Sequence, residues 1–212
     1  KELSAQMGEG NLLAVGDLNI NGNGVDNYQL DINLNKLAID SAYTAGPLTA
    51  NLVVKPQPQK SRPVIQGQVL LDNLIINIPT IPEFGAGTLP AVGLDIAIDI
   101  GKNLKMYNPL LYDLDLEGNL KVLGSLRYPN IDGTIRVTRG TINYLRTPFK
   151  VKSAILGFPL QGSLMPNINL YATSRLFRTD IFLNVRGPVD EMDLKLTSNP
   201  PMSQQELFRM LT

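Results

Sequence analysis

The sequence predicts an all-β fold, an antiparallel-rich sheet that ends in one short helix. Three observations carry the prediction. Apolar and polar residues alternate with a period of two along most of the chain. Turn-forming residues interrupt the alternation at short intervals. Helical spacing is confined to the C-terminus.

The alternation is explicit. Tyr28, Leu30, Ile32 and Leu34 alternate with Gln29, Asp31, Asn33 and Asn35. Leu94, Ile96, Ile98 and Ile100 alternate with Asp95, Ala97 and Asp99. Leu114 and Leu116 alternate with Asp113, Asp115 and Glu117. Ile131, Gly133, Ile135 and Val137 alternate with Asp132, Thr134, Arg136 and Thr138. Ile168 and Leu170 follow the same spacing. Ile181, Leu183 and Val185 alternate with Asp180, Phe182, Asn184 and Arg186, and Leu194 and Leu196 with Asp193, Lys195 and Thr197. A period of two puts one set on each side of a pleated strand, whereas a helix would scatter it. Turns are expected at Asn21–Gly22–Asn23–Gly24, Gly46–Pro47, Gly101–Lys102–Asn103, Tyr107–Asn108–Pro109, Arg139–Gly140 and Gly187–Pro188. That spacing gives about a dozen strands, joined mostly by short hairpins.

Two stretches break the rhythm. Residues 55–63, Lys-Pro-Gln-Pro-Gln-Lys-Ser-Arg-Pro, read as an exposed loop. Pro79 to Gly93 reads as a longer irregular connection that covers a strand or an open end of the sheet. In the tail, Ser203-Gln204-Gln205-Glu206 is a capping box. Leu207, Met210 and Leu211 follow at helical spacing, and Pro200 and Pro201 lie ahead of the cap, where they do not obstruct a helix. The expected organisation is a sheet over residues 1–202 and the start of an amphipathic helix over 203–212. No signal peptide precedes Lys1, and the chain stops within the expected helix, so a piece of a longer protein is expected.

Composition narrows the chemistry. Lys and Arg number 19, as do Asp and Glu, and this zero net charge argues against a nucleic-acid partner and a polybasic membrane-surface protein. Neither Cys nor His occurs, which removes thiol nucleophiles, Cys/His zinc sites and His-based triads. Ser41 and Ser125 have no histidine to activate them, and Gly22–Asn23–Gly24 lacks the strand-to-helix setting of a phosphate loop. Asp95/Asp99 and Asp113/Asp115 resemble paired carboxylates, yet they fall on polar strand faces without a calcium-type loop, so they read as solvated surface. Arg136, Arg139, Arg146, Lys150 and Lys152 also read as a solvated face, with a lipid headgroup or acidic partner as the alternative. No enzyme, cofactor or metal site is expected.

The apolar set must be covered. It holds much of a chain with 33 Leu and 17 Ile, and each buried side chain of this kind is worth roughly 1.5–3 kcal/mol. The cover is a second sheet, a bilayer around a barrel, repetition in a solenoid, or a ligand held in a curled sheet. Low aromatic content without Trp counts against a barrel with aromatic girdles, and no fixed repeat period supports a solenoid. A second sheet and a ligand both stay open on this pattern.

From Tyr128 onward the chain resembles the C-terminal domain of the TamB family, in the AsmA-like/TamB group of Gram-negative envelope proteins. The first matching stretch is 129–144, Pro-Asn-Ile-Asp-Gly-Thr-Ile-Arg-Val-Thr-Arg-Gly-Thr-Ile-Asn-Tyr, continued by Phe149–Lys150–Val151 and 154–158, Ala-Ile-Leu-Gly-Phe. The second is Asp180 to Pro188, leading through Leu194 to Ser198-Asn199-Pro200-Pro201 and the capped helix. The resemblance implies a curled, taco-like sheet with a hydrophobic inner groove. It implies a periplasmic protein, anchored in the inner membrane by parts outside this chain. It further implies phospholipid passage between the membranes, or outer-membrane protein assembly with an Omp85-type, TamA-like partner. With it, the leading expectation is a non-enzymatic lipid-handling domain. Its inner face would be Leu94, Ile96, Ile98, Leu114, Leu116, Ile131, Ile135, Val137, Ile168, Leu170, Ile181, Leu183, Val185, Leu194 and Leu196, in contact with acyl chains. The other expectations are a chaperone-like module that pairs an open sheet edge with a partner strand, and an ordinary β-sandwich surface domain.

Overall fold

Residues two apart share a face of a pleated strand, and the sheet keeps that division across its width. The computed structural model describes residues 1–21, 24–57, 60–77, 90–159 and 164–212. Its strands are β1 (Glu2–Met7), β2 (Gly10–Asn21), β3 (Gly24–Asp40), β4 (Thr44–Gln57), β5 (Lys60–Leu71) and β6 (Ile75–Ile76). They continue with β7 (Gly93–Asn108), β8 (Tyr112–Ser125), β9 (Pro129–Tyr144), β10 (Thr147–Phe158), β11 (Asn167–Leu176), β12 (Thr179–Pro188) and β13 (Asp193–Asn199). The helix α1 spans Gln204–Leu211. All strands join one sheet in the order β1-β2-β3-β4-β5-β7-β8-β9-β10-β11-β12-β13, with β6 pairing β4 and β7.

Neighbours along that order are antiparallel except β5 and β7, which run parallel from Val64↔Gly93 to Leu71↔Ile100. Beyond the end of β5, β6 fills the same lane between β4 and β7. Parallel neighbours require a connection that returns along the sheet. The irregular stretch expected between β5 and β7 falls in this connection, and most of it, 78–89, lies outside the described residues.

Several expected punctuation marks are strand. In the Pro/Gln-rich stretch, Lys55 pairs with Val64, Pro56 with Pro63 and Gln57 with Lys60, so only 58–59 fall outside the described residues. Proline is tolerated there because Pro56 lies past the last β3 partner at Val54, and Pro63 precedes the first β7 partner at Val64. Gly46–Pro47 lies inside β4, and Gly187–Pro188 closes β12. Gly101–Lys102–Asn103 is a bulge within β7, between Ile100 and Leu104, with Asn103 at φ 61°. Arg139–Gly140 lies inside β9, beside the register shift at Thr138. A further shift falls at Lys152 on β10, and another at Asn35–Lys36 on β3. Bulges bend a strand and increase its twist. Those on β7, β9 and β10 lie within two residues of one cross-strand row, Leu104–Leu116–Val137–Ala154, and so crease the sheet along one line.

One cluster of buried side chains joins Leu74, Leu104, Leu116, Val137, Phe149, Ala172, Ile181, Leu183, Leu196, Leu207 and Leu211. No second sheet covers it among the described residues, and the helix has eight residues. Leu207 and Leu211 of the helix lie off the sheet and form part of the cluster's cover. The helix begins where the sequence places it: Ser203 is the N-cap, its hydroxyl accepts from the Glu206 N–H, and the Glu206 carboxylate accepts from the Ser203 N–H.

Candidate functional site

The register carries the apolar face from strand to strand without interruption. Ala14–Ile32–Leu52–Gly67–Ile96–Val122–Ile131 are successive cross-strand partners from β2 to β9, and Leu12–Leu34–Ala50–Val69–Ile98–Leu120–Gly133 form the next row. Across the C-terminal strands, Val137–Ala154–Leu170–Val185–Leu194 and Val151–Ala172–Leu183–Leu196 do the same. None of these positions is polar. Sequence alternation puts apolar residues on one face of each strand, and the pairing aligns those faces into rows.

The rows divide into two regimes. Leu116, Val137, Ala154, Leu170, Ala172, Leu183, Val185 and Leu196 are buried, and Leu207 and Leu211 of the helix join their cluster. Toward the N-terminus, Leu12, Ala14, Ile32, Leu34, Leu52, Val69, Ile96, Ile98, Leu120, Val122 and Ile131 are only half-buried. Ala50 in the same rows is buried.

The expected inner-face residues distribute accordingly. Leu94, Leu114, Leu116, Val137, Leu170, Ile181, Leu183, Val185 and Leu196 are buried, whereas Ile96, Ile98, Ile131, Ile135 and Ile168 are half-buried. Leu194, on the edge strand β13, is 37% exposed. Sequence reasoning passed over Leu104, Phe149, Val151, Ala154 and Ala172 in the closed section, and Leu12, Leu52 and Val69 in the half-open one. Phe149 and Val151 do alternate with Lys150 and Lys152, a usable signal. Leu104 and Ala154 follow bulges, which reset the period and hide them.

The polar face is a set of cross-strand charge rows. Lys105 Nζ lies 2.7 Å from Asp113 Oδ1 and 3.8 Å from Asp115 Oδ1, and Asp115 also takes Arg139. The hydrogen bond to Asp113 is the main reason the Lys105 ammonium is held above its ordinary pKa. Lys121 pairs with Asp95 at 3.4 Å, Arg136 with Glu117 at 3.6 Å, and Asn119 donates to Asp99. The aspartates thus neutralise neighbouring strands, and no cluster able to hold a metal ion forms among the described residues. Ser41 Oγ accepts from Tyr43 and Thr44 N–H, and Ser125 Oγ from Tyr128 N–H, so both serines staple turns. Gly22–Asn23 lies outside the described residues. No described helix is long and apolar enough to cross a membrane.

An aliphatic face continuous over eleven strands and a capped C-terminal helix can be compared with known families. The chain matches the family model for the TamB C-terminal domain over residues 1–212. It belongs to the TamB family. The match takes in the whole chain, so it reaches the strands before Tyr128 that are readable only as generic amphipathic strands. No curated protein matches the chain. Membership gives this TamB domain an envelope-associated role, connected with the translocation and assembly module and with lipid transport. The TamB family is not known for enzymatic activity.

Proposed function

We propose that this TamB domain carries phospholipid acyl chains along its apolar face, between the inner and outer membranes, without enzymatic chemistry. The observation that carries the reading is the pair of all-apolar rows across β2 to β9, left half-open to solvent. Those rows cross the strands and so run along the length of the sheet. Seven strands at about 4.8 Å spacing give a strip of about 29 Å, longer than one leaflet of a hydrocarbon core of about 30 Å in all. A hydrocarbon chain there leaves no polar atom unpaired, and no single site holds it fast. Headgroups stay in water at the open side. The domain works in the periplasm, held to the inner membrane by parts of the protein outside this chain.

The test is native mass spectrometry with lipid extraction, combined with charge substitutions. Leu116→Arg strikes a residue already packed in the closed section and risks unfolding. Ile96→Arg and Leu52→Arg strike half-exposed positions. Co-purifying phospholipid that both substitutions remove, with unchanged β-sheet circular dichroism, is the expected result. Lipid retained in both variants would end the proposal.

A second reading has one observation in its favour: every residue of β1 is exposed, and its outer edge has no partner among the described residues. Such an edge suits β-augmentation by a strand of an Omp85-type, TamA-like partner. Crosslinks from Leu3 to that partner, lost on Ser4→Pro and kept on Ile96→Arg, distinguish this role from lipid carriage.

A further inference from the structure

The hairpin turns at one end of the sheet carry residues that turn chemistry disfavours. The β9–β10 turn is Leu145–Arg146, at φ 49° and 66°, and the β11–β12 turn is Phe177–Arg178, with Phe177 at φ 53°. Two-residue turns with positive φ at both central positions prefer Asn-Gly, and those with positive φ at the first prefer Gly there. A bulky side chain in the left-handed region is strained, and a local contact could compensate. No such compensation protects Phe177, which is 91% exposed. Leu145 is exposed too. Strain retained where no packing is gained points to a role at the surface.

A third tip joins them. Asn143, next to Tyr144 at the end of β9, donates its N–H to Leu111 O at 2.8 Å and its Nδ2 to Leu110 O at 3.1 Å. This stitches the β7–β8 turn, with Leu110 79% exposed, beside the β9–β10 turn. The pairing Lys150↔Thr173 sets the β11–β12 turn at the same end. Adjacent tips are two strands apart, about 10 Å. Arg146 and Arg178 are exposed and form no ion pair among the described residues. At the opposite end, the β12–β13 turn carries Asp190 and Glu191 instead.

We propose that this end of the sheet docks on an anionic phospholipid bilayer. Leu110, Leu145 and Phe177 enter the boundary between headgroups and acyl chains. Arg146 and Arg178, each beside an apolar tip residue, pair with lipid phosphates. Spaced apolar tips with adjacent arginines suit a flat surface that is greasy below and negative above. The docking site is separate from the apolar face and stands whatever that face carries.

The sequence has no Trp, so Phe177→Trp makes a single-tryptophan reporter. Its emission is expected to shift to the blue on phosphatidylglycerol-containing vesicles and not on pure phosphatidylcholine. Met192→Trp, in the acidic β12–β13 turn at the opposite end, is expected to show no shift. The turns are then replaced by favoured ones: Leu145→Asn with Arg146→Gly, and Phe177→Gly with Arg178→Asn. Folding stability should hold or rise, while vesicle affinity falls about fivefold for each arginine removed. Retained lipid in the apolar face of these variants would show that the two sites are distinct. No blue shift on either vesicle, equal shifts on both, or full vesicle binding by the replaced turns would overturn the proposal. A shift that appears only with a protein partner would overturn it in favour of that partner.

Discussion

Gln204 Nε2 donates to the backbone carbonyl of Leu196 at 2.7 Å. Leu196 belongs to β13, the last strand of the sheet, so the first residue of the helix satisfies an acceptor on an edge that would otherwise be open. Exposed edges invite pairing with other chains. Gln204→Ala is expected to cost about 1 kcal/mol in urea unfolding. Light scattering should show association that rises with concentration, because the freed carbonyl is again available.

Leu207 is fully buried and Phe208, beside it on α1, is 42% exposed. Leu207→Ala leaves a cavity at the junction of helix and sheet, with an expected loss of about 2–5 kcal/mol. Phe208→Ala should stay within about 0.5 kcal/mol of the parent. Chemical denaturation of both variants checks whether the helix seals the closed section or only lies on it.

Gly118 has φ +152°, and a Cβ there would collide with the Thr134 carbonyl oxygen of β9. Its cross-strand partners on the apolar face are Ile100 and Ile135. Gly118→Val is therefore expected to destabilise by about 2 kcal/mol or more, although it adds β-branched, strand-favouring character. A thermal melt that matches the parent would show that β8 and β9 separate at low cost.

The capping box makes the helix sensitive to acid. Hydrogen bonds from the Ser203 hydroxyl and backbone N–H hold the Glu206 carboxyl below its ordinary value of 4.5. A depressed carboxyl contributes in full above its unfolded pKa, and that contribution is lost as pH falls through the folded value. Helix docking should thus weaken on acidification below about pH 4.5. Glu206→Gln keeps the box geometry and should flatten that dependence in a pH series of urea midpoints.

The faces of the sheet were legible, and its bends were not. Alternation from Tyr28 to Leu34 or from Ile181 to Val185 needs only a period of two, and Ser203 to Glu206 needs only local spacing. Both features are local, and the structure follows them residue by residue. Gly101–Lys102–Asn103 and Arg139–Gly140 carry turn chemistry, yet neighbouring strands on both sides keep them in the sheet as a bulge or a strand segment. Pro56 and Pro63 look like loop residues until their positions beyond the adjacent ladders are known. The half-open section of the apolar face was hidden for a different reason: exposure depends on how far each row is covered, and Ile96 and Leu116 are equally apolar.

The parallel seam between β5 and β7 also governs how the chain assembles. Apart from β6, every other pairing joins strands adjacent in sequence, and such hairpins close within microseconds. The seam instead joins Val64 to Gly93 and Leu71 to Ile100, residues 29 apart in sequence. Non-local pairing of this kind is slow because the loop entropy is lost before any contact compensates for it. The two meanders, β1–β5 and β7–β13, are therefore expected to zip up from their own turns first, with the seam as the slow step. Until it closes, the facing edges of β5 and β7 would both be open to other nascent chains.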